Sequence, residues 1–336
     1  VQTFPGYFTK RVTNWRVSKG QAMYKKHKTL LKKLNDKYGI PPHYLLAFWG
    51  LETNFGSYKG KMPVLDSLAT LACDKRRSDY FTQELMVALH LMERENLSQD
   101  IMVGSWAGAM GHTQFMPSAY LNYAVDGDDD GQVNLWESEE DALTSAANFL
   151  AQLGWKPGYR WGREVKLADN FNYESAGIQA KRSMAQWAEL GVYQADGSAL
   201  PSADIQAYLV VPAGSDGPAF LAYTNFNVIM RWNNSEFYAI AVGHLADRIA
   251  GAKPLIQALP DLPAYSRLQI KQLQQRLNER GYDVGRPDGI IGPATRKGIR
   301  AFQSAESLVA DGFPSLNVME KLGIDLPAPS DENTTT

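Results

Sequence analysis

Apolar residues recur at helical spacing through much of the first 250 positions of the chain. Residues 19–38 place apolar side chains on one face and lysines on the other, which predicts an amphipathic helix that Gly39 ends. A continuous apolar run from Tyr44 to Leu51 follows Pro41-Pro42 and predicts a buried helix. The same spacing predicts further helices at 80–95, 139–153 and 236–250.

The pattern changes between about residues 155 and 225. Short apolar segments such as Tyr208–Val211 and Ala219–Tyr223 lie between turn residues, which predicts a small mixed region with some strands. We therefore expect a mainly α (α+β) chain with one large domain at 1–252. A proline-containing linker is expected at 253–265, three short helices in a compact module at 266–324, and a disordered tail at 325–336.

Composition narrows the class of protein. A length of 336 residues suits about two domains. With 34 basic and 36 acidic residues the net charge is −2, which argues against a dedicated nucleic-acid binder. A single cysteine, Cys73, excludes an internal disulfide and a multi-cysteine zinc site. No run approaches the roughly 20 apolar residues of a membrane span. The start at Val1, without Met or a signal-like segment, fits a processed or trimmed N-terminus.

Glu52 closes the apolar run, and Phe48 and Trp49 lie one helical turn before it. Residues three and four positions apart share a helix face, so both rings are expected beside the carboxyl group. Desolvation by such rings disfavours the anion and raises the pKa of a carboxyl group, which suits a general acid that gives a proton and later takes one back. The pattern alone leaves a second interpretation open, in which Glu52 reaches solvent at the helix end.

A second segment, residues 104–118, is rich in glycine, which lets a backbone approach a ligand closely. Ser105 and Gln114 can hydrogen-bond the hydroxyl or acetamido groups of a sugar. Met110 and Phe115 can form an apolar wall. The alternative is a glycine-rich loop with a purely structural role.

Three motifs occur in order along the chain. They are Glu52-Thr-x-x-Gly56, Gly104-Ser-x-Ala-Gly-Ala-Met-Gly-x-x-Gln-Phe-Met-Pro-Ser and Asn134-Leu-Trp136. Over about residues 5–250, this order resembles the membrane-bound lytic murein transglycosylase B family, bacterial enzymes with a lysozyme-like fold that cleave peptidoglycan. The resemblance implies a lysozyme-like helical catalytic core with a small mixed insertion.

By this resemblance Glu52 is the catalytic residue. It would protonate the glycosidic oxygen between N-acetylmuramic acid and N-acetylglucosamine. It would then accept the proton of the muramoyl C6 hydroxyl, which closes on C1 and leaves a 1,6-anhydro product without consuming water. Ordinary glycosidases pair two carboxylates. No second acid stands out near Glu52 in the sequence, which fits a scheme in which the substrate supplies the nucleophile and no cofactor is needed for catalysis.

The resemblance also assigns substrate contacts. It places Ser105 and Gln114 on sugar-contacting positions and Met110 along the groove. Tyr238 is a further groove candidate, for which packing is the alternative role.

Two positions depart from the family pattern. Phe149 and Trp232 stand where tyrosines are expected, so no tyrosine role is carried over to either position.

The run from Asp126 to Glu137 matches the calcium-loop pattern D-x-D-x-D-G-x5-E. The predicted ligands are Asp126, Asp128, Asp130, Gln132 through its carbonyl oxygen, and Glu137. The aspartates would repel one another without a metal, and the alternative is an acidic surface turn. The family carries an EF-hand-like loop here, at 126–141, and its last ligand can lie beyond position twelve. That leaves Asp141 as the alternative to Glu137 for a structural Ca²⁺.

The C-terminal part carries a second, independent resemblance. Leu273-Gln-Gln-Arg-Leu-Asn-Glu-Arg-Gly-Tyr, Asp288-Gly-Ile-Ile-Gly-Pro-x-Thr and Ala301-Phe-Gln303 resemble the peptidoglycan-binding type 1 module. Both resemblances imply the same partner, the glycan strands of peptidoglycan, and a monomer in the periplasm of a Gram-negative bacterium, either soluble or lipid-anchored. An association with the outer membrane stays open. Two other functions remain as alternatives: a goose-type lysozyme-like hydrolase, and a non-catalytic cell-wall-binding scaffold.

Overall fold

The computed structural model describes residues 2–325, apart from the side chains at 178 and 179. The chain forms two compact units. The helical unit comprises Arg11–Trp161 and Thr224–Pro254. The sheet unit comprises the described parts of Val1–Lys10, Gly162–Tyr223 and Leu255–Thr336. The tail predicted at 325–336 lies outside the described residues from position 326 onward. The domain boundaries inferred from the sequence remain a prediction.

Helices dominate, as the apolar spacing predicts. Helix α1 (Phe4–Arg11) opens the chain. The helices of the helical unit are α2 (Asn14–Lys26), α3 (Lys28–Tyr38), α4 (Pro42–Thr53), α5 (Val64–Ala72), α6 (Ser78–Arg94), α7 (Pro117–Tyr123), α8 (Glu139–Gln152), α10 (Thr224–Trp232) and α11 (Glu236–Ile249). Two short strands, β1 (Met62–Pro63) and β2 (Val103–Gly104), form an antiparallel ribbon in the same unit.

Helix α4 lies at the centre of the helical unit. It starts after Pro41 with Pro42 in its first turn, where the missing N–H would have no intrahelical partner. Helices α2 and α11 pack against it, and its side chains are buried around most of its circumference. A helix that is apolar all round suits such a central position. The helix ends at Asn54, whose φ of 50° is left-handed.

The single helix predicted at 19–38 is two helices in the structure. His27 takes a non-helical conformation (φ −107°, ψ 22°) between α2 and α3, while its N–H still bonds to the carbonyl of Met23. The buried leucines of the predicted face all belong to α3. A break of one residue barely alters the apolar spacing, so periodicity does not reveal it.

A five-stranded antiparallel sheet forms part of the sheet unit, in the order β4-β6-β7-β3-β5. Strands β6 and β7 lie at the predicted segments and pair with Leu209 opposite Leu221. Trp187 of the adjacent helix is fully buried in this core. The elements are β3 (Gly162–Leu167), β4 (Gly177–Ser183), α9 (Met184–Glu189), β5 (Val192–Gln194), β6 (Gln206–Val210) and β7 (Ala219–Ala222), with a 3₁₀ turn at Tyr173–Ser175.

The segment predicted as a linker is tied to this sheet. The carboxylate of Glu164 on β3 accepts hydrogen bonds from the backbone N–H of Ile256, at 2.9 and 3.0 Å, and of Gln257, at 2.7 Å. The side chain of Gln257 also donates to the carbonyl of Asp216 at 3.3 Å.

Three helices form the C-terminal module: α12 (Arg267–Glu279), α13 (Pro293–Ala305) and α14 (Leu316–Lys321). Two glutamines hold matching turns between them. The Gln274 amide donates to Asp288 Oδ1 at 3.0 Å and accepts from Gly289 N at 2.8 Å. Gln303 makes the same pair of bonds to the turn at 311–312, at 2.7 and 2.8 Å. The two turns are therefore structural repeats of one another, a symmetry that the sequence pattern did not reveal.

Candidate active site

Glu52 is the penultimate residue of α4 and is half-buried. The indole N–H of Trp232 donates a hydrogen bond to Glu52 Oε1 at 3.1 Å. The hydroxyl group of Tyr238 donates a second hydrogen bond to the same oxygen. Glu52 Oε2 accepts none from the described residues. One oxygen is therefore held by the protein, and the other is open to a ligand.

Burial raises the pKa of Glu52 to about 7, although the hydrogen bonds from Tyr238 and Trp232 and the charge of Arg11 lower it. Within residues 2–325, no carboxylate contributes to this shift. A carboxyl group poised near neutrality can donate a proton and then accept one in the same catalytic cycle. The predicted direction of the pKa shift agrees with this environment.

The rings around Glu52 differ in part from those predicted. Phe48 packs on Trp232 with ring centroids 4.6 Å apart, and its centroid lies 6.2 Å from that of Tyr238. Phe149 extends the cluster at 5.1 Å from Trp232. Sequence reasoning assigned no role to Trp232, because it appeared only as a departure from the family's tyrosine. That motif position was itself the signal, since Trp supplies an N–H where a tyrosine would supply a hydroxyl group.

The two polar substrate candidates both lie in the loop that follows β2. Ser105 Oγ accepts hydrogen bonds from the N–H groups of Ala107, at 3.3 Å, and Ala109, at 3.1 Å, which leaves its own proton available to a ligand. The Gln114 amide nitrogen donates to the carbonyls of Lys59, at 3.1 Å, and Gly111, at 3.0 Å. The Gln114 carbonyl oxygen accepts no bond from the described residues. Both side chains are partly exposed.

The structure contradicts the prediction that Met110 and Phe115 form an apolar wall for a ligand. Met110 is 0% exposed and Phe115 is 2% exposed, and both belong to the core of the helical unit. They pair through their backbones, and Met110 also pairs with Gly104, which draws both side chains inward. These side chains therefore pack in the core under the loop and expose almost no surface that a ligand could contact.

A buried network anchors the face of α4 beside Glu52. Thr53 Oγ1 donates to the carbonyl of His112 at 2.7 Å, and Trp49 Nε1 donates to His112 Nδ1 at 3.1 Å. Burial, reinforced by the charge of Lys59, lowers the pKa of His112 to about 4, so the ring stays neutral near pH 7. The backbone N–H of His112 donates to Leu135 O at 2.8 Å.

Residues 126–141 bring acidic side chains together. Ligand oxygens of Asp126, Asp128 and Asp141 all lie within 4.8 Å of one another. Asp126 Oδ2 accepts from Gly131 N at 2.8 Å, whereas its Oδ1 is buried and has no hydrogen-bond partner among the described residues. A buried carboxylate oxygen without a donor is the group that a cation would satisfy. The chemistry of these side chains therefore fits a hard cation such as Ca²⁺.

Both candidates for the last ligand lie near this cluster. Asp141 is buried, and its two oxygens accept from Gly127 N and Asn134 N, each at 2.7 Å. Glu137 is exposed and lines a pocket of about 510 Å³ together with Asp128 and Asp130. The sequence reasoning named Asp141 only as an alternative, yet Asp141 and not Glu137 belongs to the three-carboxylate cluster. Asp130 Oδ1 accepts from Gln132 N at 2.8 Å, which holds the turn between them.

Comparison with known families gives two matches. Residues 1–247 match the transglycosylase SLT domain, and residues 266–322 match a peptidoglycan binding domain. The chain belongs to the transglycosylase SLT family. It is accordingly a lytic transglycosylase with a C-terminal peptidoglycan-binding module, and the family, fold class and enzyme class expected from its motifs are confirmed.

Solved and curated relatives agree. Membrane-bound lytic murein transglycosylase B of Escherichia coli (strain K12) is 34% identical over 251 residues, which is 74% of this chain and 67% of the relative. SltB3 from Pseudomonas aeruginosa, solved with NAG-anhNAM-pentapeptide, is 40% identical with a TM-score of 0.92, over 96% of this chain and 87% of that one. Escherichia coli Slt35, solved with calcium, is 33% identical with a TM-score of 0.66, over 74% and 78% of the two chains.

A search of residues 2–325 finds no helix with the length and hydropathy of a membrane span.

Proposed function

We propose that this transglycosylase cleaves the β-1,4 bond between N-acetylmuramic acid and N-acetylglucosamine without water, with Glu52 as the only acid and base. One observation carries the proposal. The carboxyl group of Glu52 has its pKa raised to about 7, and Oε1 takes both protein hydrogen bonds while Oε2 accepts none from the described residues. The complex of SltB3 with NAG-anhNAM-pentapeptide, an anhydro ligand by its name, supports the same reaction.

The proton moves out and back. Protonated Glu52 gives its proton to the glycosidic oxygen, and the bond from that oxygen to C1 breaks. Tyr238 and Trp232 stabilise the carboxylate that forms, because both donate to Oε1. The carboxylate then takes the proton of the C6 hydroxyl as O6 bonds to C1. Atoms balance without water, and Glu52 ends the cycle protonated.

Ser105 and Gln114 are the side chains that we assign to substrate. The Ser105 hydroxyl group can donate to a sugar oxygen, and the Gln114 carbonyl can accept the N–H of an acetamido group. In this proposal Tyr238 is a hydrogen-bond donor to the carboxyl group of Glu52. A contact of Tyr238 with the substrate itself is a separate prediction.

Residues 126–141 are proposed to hold a structural Ca²⁺. Asp126, Asp128 and Asp141 supply the cluster of carboxylate oxygens, with Asp130, Gln132 and Glu137 as further candidates from the loop pattern. The orphaned Asp126 Oδ1 supports the assignment, as does the calcium complex of Slt35. Bound there, the ion would neutralise the loop and hold its shape. Catalysis itself would need no cofactor.

The C-terminal module is proposed to hold the enzyme near its polymer and so raise the local concentration of glycan strands. Peptidoglycan as substrate implies an envelope location, and we propose the periplasm of a Gram-negative bacterium. A monomer is expected, and an outer-membrane association is a separate proposal, for which the membrane-bound relative is the support.

Product mass and one variant test the proposal together. Intact sacculi digested by the protein should release anhydro-muropeptides, each lighter by one water than the product of a goose-type hydrolase. Glu52→Gln should abolish release, whereas Glu95→Gln, a matched change on a partly exposed glutamate of the helical unit, should not. Hydrated products would favour the hydrolase. Equal clearance by Glu52→Gln would refute the role of that residue, and no release by the parent would favour the non-catalytic scaffold.

A further inference from the structure

Three hydrogen bonds, linked through adjacent backbone atoms, join the loop at 126–141 to the helix that carries Glu52. Asp141 Oδ2 accepts a hydrogen bond from the backbone N–H of Asn134 at 2.7 Å. The next residue, Leu135, accepts from the N–H of His112 at 2.8 Å. His112 in turn accepts from Thr53 Oγ1 at 2.7 Å, and Thr53 directly follows Glu52.

The residues nearest to Glu52 in this series are buried. Leu135 is 0% exposed, His112 5% and Thr53 1%, so the bonds between Leu135 and His112 and between His112 and Thr53 join buried residues. Gly111 has φ +68°, and a Cβ there would lie 2.4 Å from Leu135 O, so the two segments are in direct backbone contact. Close-packed interiors transmit displacement because they leave no room to absorb it.

Further bonds connect the same loop to the groove residues. The carbonyl of Trp136 accepts from Lys59 Nζ at 2.6 Å, and the Gln114 amide donates to the Lys59 carbonyl at 3.1 Å. The Trp136 indole donates to Val103 O at 2.8 Å, two residues before Ser105. The three-residue stretch 134–136 therefore contacts the supports of Glu52, Gln114 and Ser105.

We propose that Thr53 and His112 are positioning residues, through which cation binding at 126–141 fixes the orientation of Glu52. The inference rests on the proposed roles of that loop and of Glu52. Without a cation, repulsion among Asp126, Asp128 and Asp141 displaces the 134–136 stretch, and the bond from Thr53 carries the displacement to the end of α4. With the cation bound, the helix end and Glu52 are ordered for proton transfer. Because coupling is reciprocal, a ligand that orders Glu52 tightens the cation site by the same factor.

Thr53→Val tests the link, since it keeps the shape of the side chain and removes the hydroxyl group. Thr113→Val is the matched control, because Thr113 is equally buried, neighbours His112, and its hydroxyl group has no hydrogen-bond partner among the described residues. Thr53→Ser should restore the parent behaviour. The readout is amide hydrogen exchange at Tyr58, whose N–H bonds to the backbone carbonyl of Thr53 at 3.0 Å, an acceptor that the substitution keeps. Gly56 is excluded from the readout because its N–H bonds to Thr53 Oγ1 itself, also at 3.0 Å.

In the parent and in Thr113→Val, Ca²⁺ should slow exchange of the Tyr58 amide by about fivefold or more, the lower end of typical coupling. In Thr53→Val that protection should disappear, while the loop amides of Gly127 and Asn134 are still protected by Ca²⁺. The Ca²⁺ dependence of kcat should vanish in the same variant, with KM little changed. If Thr53→Val does not fold, Trp49→Phe removes the donor to His112 Nδ1 instead.

Two results would overturn the proposal. One is exchange of the Tyr58 amide that does not respond to Ca²⁺ in the parent. The other is protection that survives in Thr53→Val to the same extent as in Thr113→Val. Hydrogen exchange needs no turnover, so a failure of the proposed peptidoglycan chemistry would leave this result readable by itself.

Discussion

Removing the hydroxyl group of Tyr238 is expected to raise the pKa of Glu52 further. That hydroxyl group donates to Glu52 Oε1 and lowers the pKa of this carboxyl group, which burial nevertheless keeps at about 7. A hydrogen bond to a charged group contributes roughly 1.5–3 kcal/mol. At about 1.4 kcal/mol for each pKa unit, Tyr238→Phe should move the pKa of Glu52 up by about 1–2 units. The bond from Trp232 remains in the variant, so the shift is smaller than burial alone would allow.

The pH dependence of kcat/KM measures this change, because it reports the pKa of the essential acid in the free enzyme. The alkaline limb should move to higher pH in Tyr238→Phe, and the maximal rate should fall because the carboxylate formed after proton transfer loses a donor. Tyr44→Phe is the control. Its hydroxyl group accepts from Trp161 N at 3.0 Å, on the same helix as Glu52 but remote from the carboxyl group.

An alkaline limb that stays in place or moves to lower pH in Tyr238→Phe would refute the reasoning. A limb that moves equally in Tyr44→Phe would also refute it, since the shift would then come from a general loosening of α4.

Three further predictions concern stability. The pKa of Glu52 in the folded protein lies above its ordinary 4.5, so the stability that this group contributes is present below pH 4.5 and is lost as the pH rises through 7. Glu52→Gln should therefore stabilise the fold at pH 8 by up to about 3 kcal/mol in urea unfolding, and an unchanged midpoint would contradict this. Compared with Ca²⁺ at a hundredfold excess over its Kd, a chelator should lower the Tm of the parent by the equivalent of about 2.7 kcal/mol and should leave the Tm of Asp126→Asn unchanged. The same Tm for the parent with chelator and with Ca²⁺ would count against a bound ion. Gly111→Ala should destabilise the fold by about 1–3 kcal/mol more than Gly158→Ala in the same unfolding assay, because both positions have positive φ but only at Gly111 would the new Cβ overlap another atom, Leu135 O at 2.4 Å. Equal costs would show that this contact is unimportant.

The sequence predicted local features well. The apolar run before Glu52 and the proline at its start are properties of a dozen neighbouring residues, and α4 follows from them directly. The motif at 104–118 likewise pointed to Ser105 and Gln114, which are half-buried residues of one loop in the structure, and their contact with a sugar stays a prediction. Such signals survive in sequence because the residues that create them are adjacent.

Long-range contacts were harder to predict. Trp232 and Tyr238 reach Glu52 across about 180 positions, and nothing in the spacing of the chain links them. From the sequence, Met110 and Phe115 fit a groove wall as well as a core, because an apolar residue type does not indicate which side of a loop faces inward. Backbone pairing between these two residues decides the question, and pairing of that kind has no sequence signature.

The helical unit is discontinuous in the chain, and this has a consequence for biosynthesis. Glu52 lies in its first segment, whereas both of its hydrogen-bond donors come from the second, which begins only at Thr224. A nascent chain that ends at residue 223 already contains the acid but neither partner that steadies it. The carboxyl group of Glu52 therefore gains its two hydrogen-bond donors only when the second segment of the helical unit has been made.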